Sequence, residues 1–70
     1  MRIFDNPNHP HYGPVRRMWI VLVQLDLLAA AERWGQGTMP WDRALAGLVE
    51  EIGESPAQRW VLRHIMKEAS

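Results

Sequence analysis

The sequence predicts an all-α fold: a three-helix domain in which a long, central apolar helix is followed by a closely linked pair of helices. Two observations support this prediction. Residues 18–31 (MWIVLVQLDLLAAA) contain only two polar side chains, Gln24 and Asp26, and lead without a break into further helix-forming residues. The two segments that follow have the apolar periodicity of amphipathic helices and are separated by Gly53, a residue type that often ends a helix.

The chain divides into an N-terminal arm, residues 1–13, and a single helical domain, residues 14–70. Residues 5–14 (DNPNHPHYGP) hold three prolines, two asparagines and one glycine, a composition that disfavours both helix and sheet. We therefore predict that the arm is extended.

The first helix is predicted over residues 14–34, followed by a turn at residues 36–38. Proline suits the first helical position, and Gly35 is a suitable stop. A buried strand over residues 19–25 is the alternative, since Ile20, Val21 and Val23 favour strands. The length of the segment and the lack of a second strand to pair with it favour the helix.

A helix that is apolar all round must be covered all round, and a chain of 70 residues has little material for this. The absence of cysteine excludes disulfides and the common structural zinc sites as other sources of stability. We therefore expect a homodimer through the first helix, with the interface residues Met18, Val21, Leu22, Leu25, Asp26 and Leu28. In this arrangement we expect Asp26 to pair with Arg33, Arg59 or Arg63, or with its own copy across the dimer axis, because an unpaired buried carboxylate is costly. The alternative is that Asp26 lies at the rim of the helix and reaches water.

The second helix is predicted to begin near residue 39 or 40 and to end at residue 52. Its apolar face consists of Trp41, Leu45, Leu48, Val49 and Ile52. The third helix is predicted from Pro56 to about Glu68, with Ser55 as its N-cap and Gln58 completing a capping box.

Over residues 44–66 this pair resembles a generic helix-turn-helix unit, because apolar residues flank the turn glycine on both sides. The register departs from the motif, since the sixth residue after Gly53 is Arg59 and the apolar residue follows one later. The resemblance implies an alternative function, a dimeric DNA-binding regulator that uses the third helix. The DNA-contacting residues would be Gln58, Arg59, Arg63 and Lys67.

The charge pattern favours a protein partner over nucleic acid. Arg59, Arg63 and Lys67 form a row with a spacing of four residues, but three glutamates close by in sequence would repel phosphates. The eight basic residues of the chain are balanced by eight acidic ones, so no overall field attracts it to nucleic acid.

Our first hypothesis for function is a small non-enzymatic protein-binding module, such as an inhibitor, adaptor or accessory subunit, that occludes or bridges a protein partner. The predicted partner-binding residues are Arg16, Arg17, Trp19 and Trp34. The two arginines oppose the dipole at the start of the first helix, so they either dock an acidic patch or form salt bridges with Asp5 or the second helix. Trp34 lies at the exposed end of the first helix, whereas Trp41 and Trp60 fall on core faces.

Catalysis, metal binding and membrane insertion are not predicted. The sequence lacks a cysteine nucleophile, a glycine-rich phosphate loop and paired carboxylates in an apolar setting. His9 and His11 lie on a loop, without the three or four rigidly held ligands of a metal site. The apolar run is shorter than the roughly 20 residues of a membrane span, and the N-terminus is unlike a signal peptide. We expect a cytoplasmic protein that uses no cofactor and binds no small-molecule substrate.

Overall fold

The computed structural model describes residues 1–36 and 39–70, and all the regular secondary structure in these ranges is helical. A short 3-10 helix, Ile3–Asp5, precedes four α-helices: α1 (Tyr12–Gln24), α2 (Leu28–Gly35), α3 (Trp41–Ile52) and α4 (Glu54–Ala69). The predicted all-α class is confirmed. The predicted count of three helices and the long apolar helix are wrong. Of the turn predicted at residues 36–38, residues 37 and 38 lie outside the described part of the chain.

The four helices enclose one small core. α3 packs along α4, α2 packs against both, and α1 lies on α3 and on the 3-10 helix. Each helix contributes the residues at helical spacing on its inner face, as expected for amphipathic helices. The buried apolar residues are Ile3, Val15, Met18, Leu22, Ala30, Ala31, Trp41, Leu45, Ala46, Ala57, Val61 and Ile65. Of the face predicted for the second helix, Trp41 and Leu45 are fully buried, whereas Ile52, at the end of the helix, is exposed.

A turn at Asp26 divides the predicted long helix into α1 and α2. Asp26 has a φ of 59°, and its amide donates to the carbonyl of Val23 (3.1 Å), while the amide of Leu27 donates to that of Leu22 (2.7 Å). These two hydrogen bonds around a left-handed residue form a Schellman motif, which closes the end of a helix. Aspartate adopts the left-handed conformation more readily than most residues. The polar residue within the apolar run therefore marks a helix end.

The predictions for Asp26, Met18 and Leu22 are corrected by this geometry. Asp26 is exposed, and no ion pair within the described ranges involves it, so the predicted pairing with Arg33, Arg59 or Arg63 does not form within the chain. Pairing of Asp26 with its own copy stays a prediction. Met18 and Leu22 are completely buried in the core of the single chain, so they have no surface left for a dimer interface. The inner face of α1 is covered without a second copy because the chain contains four short helices and a folded N-terminal segment.

The N-terminal segment is packed on the domain, in contrast to the extended arm that its composition predicted. Arg2 Nε donates to Asp42 Oδ1 (3.0 Å), and the amide of Ile3 donates to Asp42 Oδ2 (2.8 Å). Arg2 Nη2 lies 2.9 Å from the same Oδ1 but is not aligned for a hydrogen bond. Phe4 stacks on both Trp19 (5.8 Å between ring centroids) and Trp41 (5.7 Å). The segment thereby closes one side of the core, and α1 begins at Tyr12, two residues earlier than predicted.

Arg2 also connects this segment to α2. Its Nη1 donates to Glu32 Oε2 (2.9 Å), and Glu32 Oε1 accepts a hydrogen bond from the indole of Trp41 (2.8 Å). Asp42 is 1% exposed. Burial acts to raise the pKa of Asp42, but the hydrogen bonds from Arg2 and from the Ile3 amide, with the attraction of Arg2, outweigh burial and lower it. The carboxylate is therefore charged and paired at neutral pH.

The start of α4 differs from the predicted capping box. α4 begins at Glu54, its N-cap is Gly53, and Ser55 lies within the helix. Gly53 has φ 90° and ψ 165°, a conformation that suits glycine and allows α3 and α4 to be joined by a single residue. The side-chain amide of Gln58 donates to Glu54 Oε2 (3.0 Å), whereas in a capping box its carbonyl oxygen would accept from the backbone N–H of the N-cap residue.

A second glycine allows the end of α2 to touch the start of α3. A Cβ atom on Gly35 would lie 2.3 Å from the backbone nitrogen of Trp41 and 2.9 Å from the carbonyl carbon of Pro40. Real side chains do not approach backbone atoms this closely, so only glycine fits at this contact.

The turn at Asp26 gives the first prediction. Asp26→Gly is expected to raise the free energy of unfolding by about 1 kcal/mol, because glycine adopts the left-handed conformation without steric cost. Asp26→Ala is the matched control and is expected to lower it, since alanine lacks this freedom. Urea denaturation followed by circular dichroism measures both. An alanine variant more stable than the glycine variant would contradict the left-handed turn.

The lowered pKa of Asp42 gives a pH-dependent prediction. Because the folded-state pKa lies below the unfolded value of about 3.9, the pair contributes stability above that value and loses it as the pH falls through the folded-state pKa. Asp42→Asn is expected to cost about 2 kcal/mol at pH 7 and to flatten the loss of stability on acidification. Urea denaturation at neutral and acidic pH tests this. Parallel pH profiles for the variant and the parent would show that Asp42 is not an ionised partner.

Candidate functional site

An exposed apolar strip follows the junction of α1 and α4, and we call it the α1–α4 seam. It consists of Val21 and Leu25 on the α1 side and of Leu62 and Met66 on α4. Leu25 and Met66 are each 53% exposed, and Leu62 is half-buried. Three shallow hollows of about 230, 520 and 330 Å³ follow the seam, and each is lined by Leu62, Met66 or both. The seam is therefore a row of three shallow hollows that share the apolar side chains of Leu62 and Met66.

Three cations border the α4 side of the seam, and we call them the basic row. Arg59, Arg63 and Lys67 lie four residues apart on the outer face of α4, and all three are exposed. They line the 520 Å³ hollow together with Leu62 and Met66. None of the ion pairs formed within residues 1–36 and 39–70 involves the basic row. Positive charge and apolar surface thus occur side by side.

The remaining residues of the predicted dimer interface and the predicted DNA contact Gln58 lie at different places in the structure. Of the predicted dimer interface, Val21 and Leu25 lie in the seam, whereas Leu28 is half-buried and packs against the core. Gln58, predicted with the basic row as a DNA contact, lines the 230 Å³ hollow, and its amide donates to Glu54.

The two arginines at the start of the predicted first helix are engaged within the chain. Arg16 donates to the carbonyl of Phe4 (3.2 Å), lies 3.9 Å from Asp5 and stacks over Trp19 at 4.5 Å from the ring centroid. Arg17 binds both carboxylate oxygens of Glu54 at 2.7 Å. These hydrogen bonds lower the pKa of Glu54, against a smaller opposing effect of burial. The alternative of salt bridges therefore accounts for both arginines, although the partner of Arg17 lies on α4 and not on the second predicted helix.

A second exposed surface surrounds Trp34 and Trp60, and we call it the tryptophan hollow. The two indoles meet edge to face at 6.3 Å between centroids, and the ring of His64 stacks on Trp60 at 3.9 Å. The hollow has a volume of about 440 Å³ and is also lined by Met39, Gly47 and Leu48. Trp60 is 45% exposed, so its predicted place in the core is wrong. It falls on the edge of α4 that faces α2, where Trp34 covers only part of it.

Gly47 has no packing role among the described residues. It lies in the middle of α3, it is exposed, and an added Cβ would have none of their atoms within 4 Å. Glycine inside a helix costs about 0.5–1 kcal/mol relative to alanine. The contact at Gly35 explains that glycine, whereas nothing in residues 1–36 and 39–70 explains Gly47.

The histidines of the N-terminal segment take part in local contacts. His11 Nε2 lies 2.9 Å from Glu50 Oε1, and the backbone amide of His11 donates to His9 Nδ1 (3.1 Å). In the described part of the chain no three histidine, aspartate or glutamate side chains are grouped so that they could hold a metal ion. The helices in the same ranges are too short or too polar to cross a lipid bilayer.

Sequence reasoning missed Leu62 and Met66 as surface residues. A signal was present, because both lie at helical spacing beside the basic row and away from the buried Val61 and Ile65. It also missed the shared surface of Trp34 and Trp60, which depends on how α2 packs against α4.

Comparison with models of protein families, with curated proteins and with solved structures gives no match for this chain. The inference of function therefore depends on the chemistry of these two surfaces.

Proposed function

We propose that the protein is a small non-enzymatic binding module whose α1–α4 seam takes up an acidic amphipathic segment of a protein partner. The observation that carries the proposal is the position of the basic row beside the exposed apolar strip. An apolar strip alone would suit many partners, and a basic row alone would suit any polyanion. Their combination selects a segment with apolar and acidic residues on adjacent faces.

The apolar half of the proposal rests on the shape and composition of the seam. An amphipathic helix binds by placing side chains with a spacing of three or four residues into a groove. Leu25, Leu62 and Met66 line successive hollows, so side chains one helical turn apart on the partner have separate places to bind. The exposure of Val21 supports an apolar ligand at the seam, because a β-branched residue on a solvent-facing helix position favours neither solubility nor helix formation.

The charged half rests on the lack of partners for the basic row within the described residues. Acidic side chains along one edge of the bound segment would meet Arg59, Arg63 and Lys67 in turn. Charges at the rim of an interface mainly increase the association rate and the specificity, so most of the affinity would come from the apolar contacts. Binding of this kind would cover the partner segment and thereby occlude it, or connect it to another protein.

Nucleic acid is the alternative ligand of the same basic row. A duplex would engage the three cations but would leave the exposed Val21, Leu25 and Met66 uncovered. The single residue between α3 and α4 also differs from the three- or four-residue turn of the helix-turn-helix motif. These features favour a protein segment.

Fluorescence anisotropy with synthetic ligands tests the proposal. The probe is a labelled amphipathic peptide with leucines on one helical face and glutamates beside them, and its control is a peptide of the same composition in scrambled order. We expect the amphipathic peptide to bind at least about tenfold more tightly than the control, a difference of about 1.4 kcal/mol. Equal binding of the two peptides, or no binding of either, would refute the proposal.

Two sets of variants separate the two halves of the site. Reversal of the basic row (Arg59→Glu, Arg63→Glu and Lys67→Glu together) is expected to weaken peptide binding most at low salt and to invert its salt dependence, because the new glutamates repel the acidic peptide. Leu25→Gln with Met66→Gln, which changes no charge, is expected to weaken binding at all salt concentrations. Arg43→Glu, an exposed charge reversal on α3, is the matched control and should leave binding unchanged. If labelled duplex DNA binds instead, and only the basic-row variant abolishes that binding, the DNA-binding alternative is correct.

A further inference from the structure

The outer face of α3 carries a row of three residues with opposite charges at its two ends. Arg43, Gly47 and Glu51 are spaced four residues apart, and all three are exposed. They share one face of the helix, opposite the buried Trp41 and Leu45. Gly47 stands at the midpoint, and each charged residue lies about 6 Å from it along the helix axis.

This arrangement is complementary to itself. If two α3 helices pack antiparallel with their glycines facing each other, Arg43 of each copy meets Glu51 of the other. Because a two-fold axis passes between the glycines, both pairs form at once. Rows of residues four apart lie parallel when two helices pack through them, which keeps the opposite charges next to each other. We propose that a second copy of this chain docks on this face of α3.

Two further observations support the second copy as occupant. Glycine at position 47, which no contact among the described residues explains, permits close approach of the two helices at the axis. The tryptophan hollow opens beside the same row and is lined by Arg43, Gly47 and Glu51 as well as by the indoles. A partner helix at Gly47 would cover Trp60 and Met39, which are 45% and 47% exposed.

The alternative dimer, through the first helix, is disfavoured by charge. A symmetric dimer across the α1–α4 seam would bring two basic rows together, and like charges repel. The α3 face has mixed charge and therefore lacks this penalty. This inference does not rest on the proposed function, since the seam and the α3 face are separate surfaces.

Sedimentation equilibrium of the purified chain tests the inference. The expected result is a species of twice the 8.1 kDa chain mass at high micromolar concentration. Arg43→Glu alone and Glu51→Arg alone are each expected to raise the dissociation constant of the dimer at least about tenfold, because each places like charges opposite each other. A monomer at every concentration, or a dimer unaffected by either reversal, would overturn the inference.

Exchange of the charges at positions 43 and 51 tests the antiparallel arrangement specifically. An equimolar mixture of the Arg43→Glu and Glu51→Arg chains restores both opposite-charge pairs, so the two chains are expected to form a heterodimer more tightly than either variant dimerises alone. The double variant, with both substitutions in one chain, is expected to dimerise like the parent. Failure of both restorations would also refute the antiparallel arrangement.

Gly47→Leu tests the close approach. The Cβ of a leucine at this position would lie more than 4 Å from the other described residues, and leucine favours the helix, so the monomer is expected to unfold at a higher urea concentration. The same side chain would hold the two helices apart, and dimerisation should be lost. The basic-row variant is the control, since it should weaken peptide binding and leave the dimer intact. A dimer that survives Gly47→Leu but is lost on Ile20→Glu would assign the interface to α1 and overturn the inference.

Discussion

The ion pair between Arg2 and Asp42 is the interaction on which the rest of the structure depends. Asp42 is buried at the start of α3, and both of its oxygens accept hydrogen bonds, one from the guanidinium and one from the amide of Ile3. A buried charge is tolerated only when it is paired and hydrogen-bonded in this way. The pair places Ile3 in the core and Phe4 between two tryptophans. The N-terminal residues thus supply a side of the core that four short helices do not provide.

The charged residues that hold the domain together differ from those that remain available for binding on its surface. Arg2, Arg16 and Arg17 hold the N-terminal segment and α1 to the rest of the domain. The cations of α4 have no such role within the described residues and remain beside an apolar strip. α3, in contrast, presents one positive and one negative residue around a glycine. A surface with charges of one sign favours a different molecule of opposite charge. A surface on which positive and negative charges are arranged symmetrically can instead bind a second copy of the same chain.

The sequence predicted the helical class, the end of α3 at Gly53 and the burial of Trp41 and Leu45, because these follow from local periodicity and from glycine. It did not predict the break at Asp26, since that turn contains neither glycine nor proline and its neighbours are good helix formers. The burial of Asp42 was not predicted, because its partner, Arg2, lies 40 residues away in the chain. Patterns along a helix indicate which face is apolar, but not which distant side chain will compensate a buried charge. The seam was missed in part for the same reason, since it exists only where α1 and α4 meet.

The contact between Gly35 and Trp41 has a consequence for how the domain tolerates changes of length. Because the end of α2 and the start of α3 already touch, the residues that join them connect two fixed points of the fold. The entropy of closing such a loop rises slowly with its length, by roughly 0.6 kcal/mol for each doubling. Insertion of additional residues between these two helices would therefore leave their packing unchanged. None of the described residues of this connection lines the α1–α4 seam, so a probe or a tether introduced there would leave that surface undisturbed.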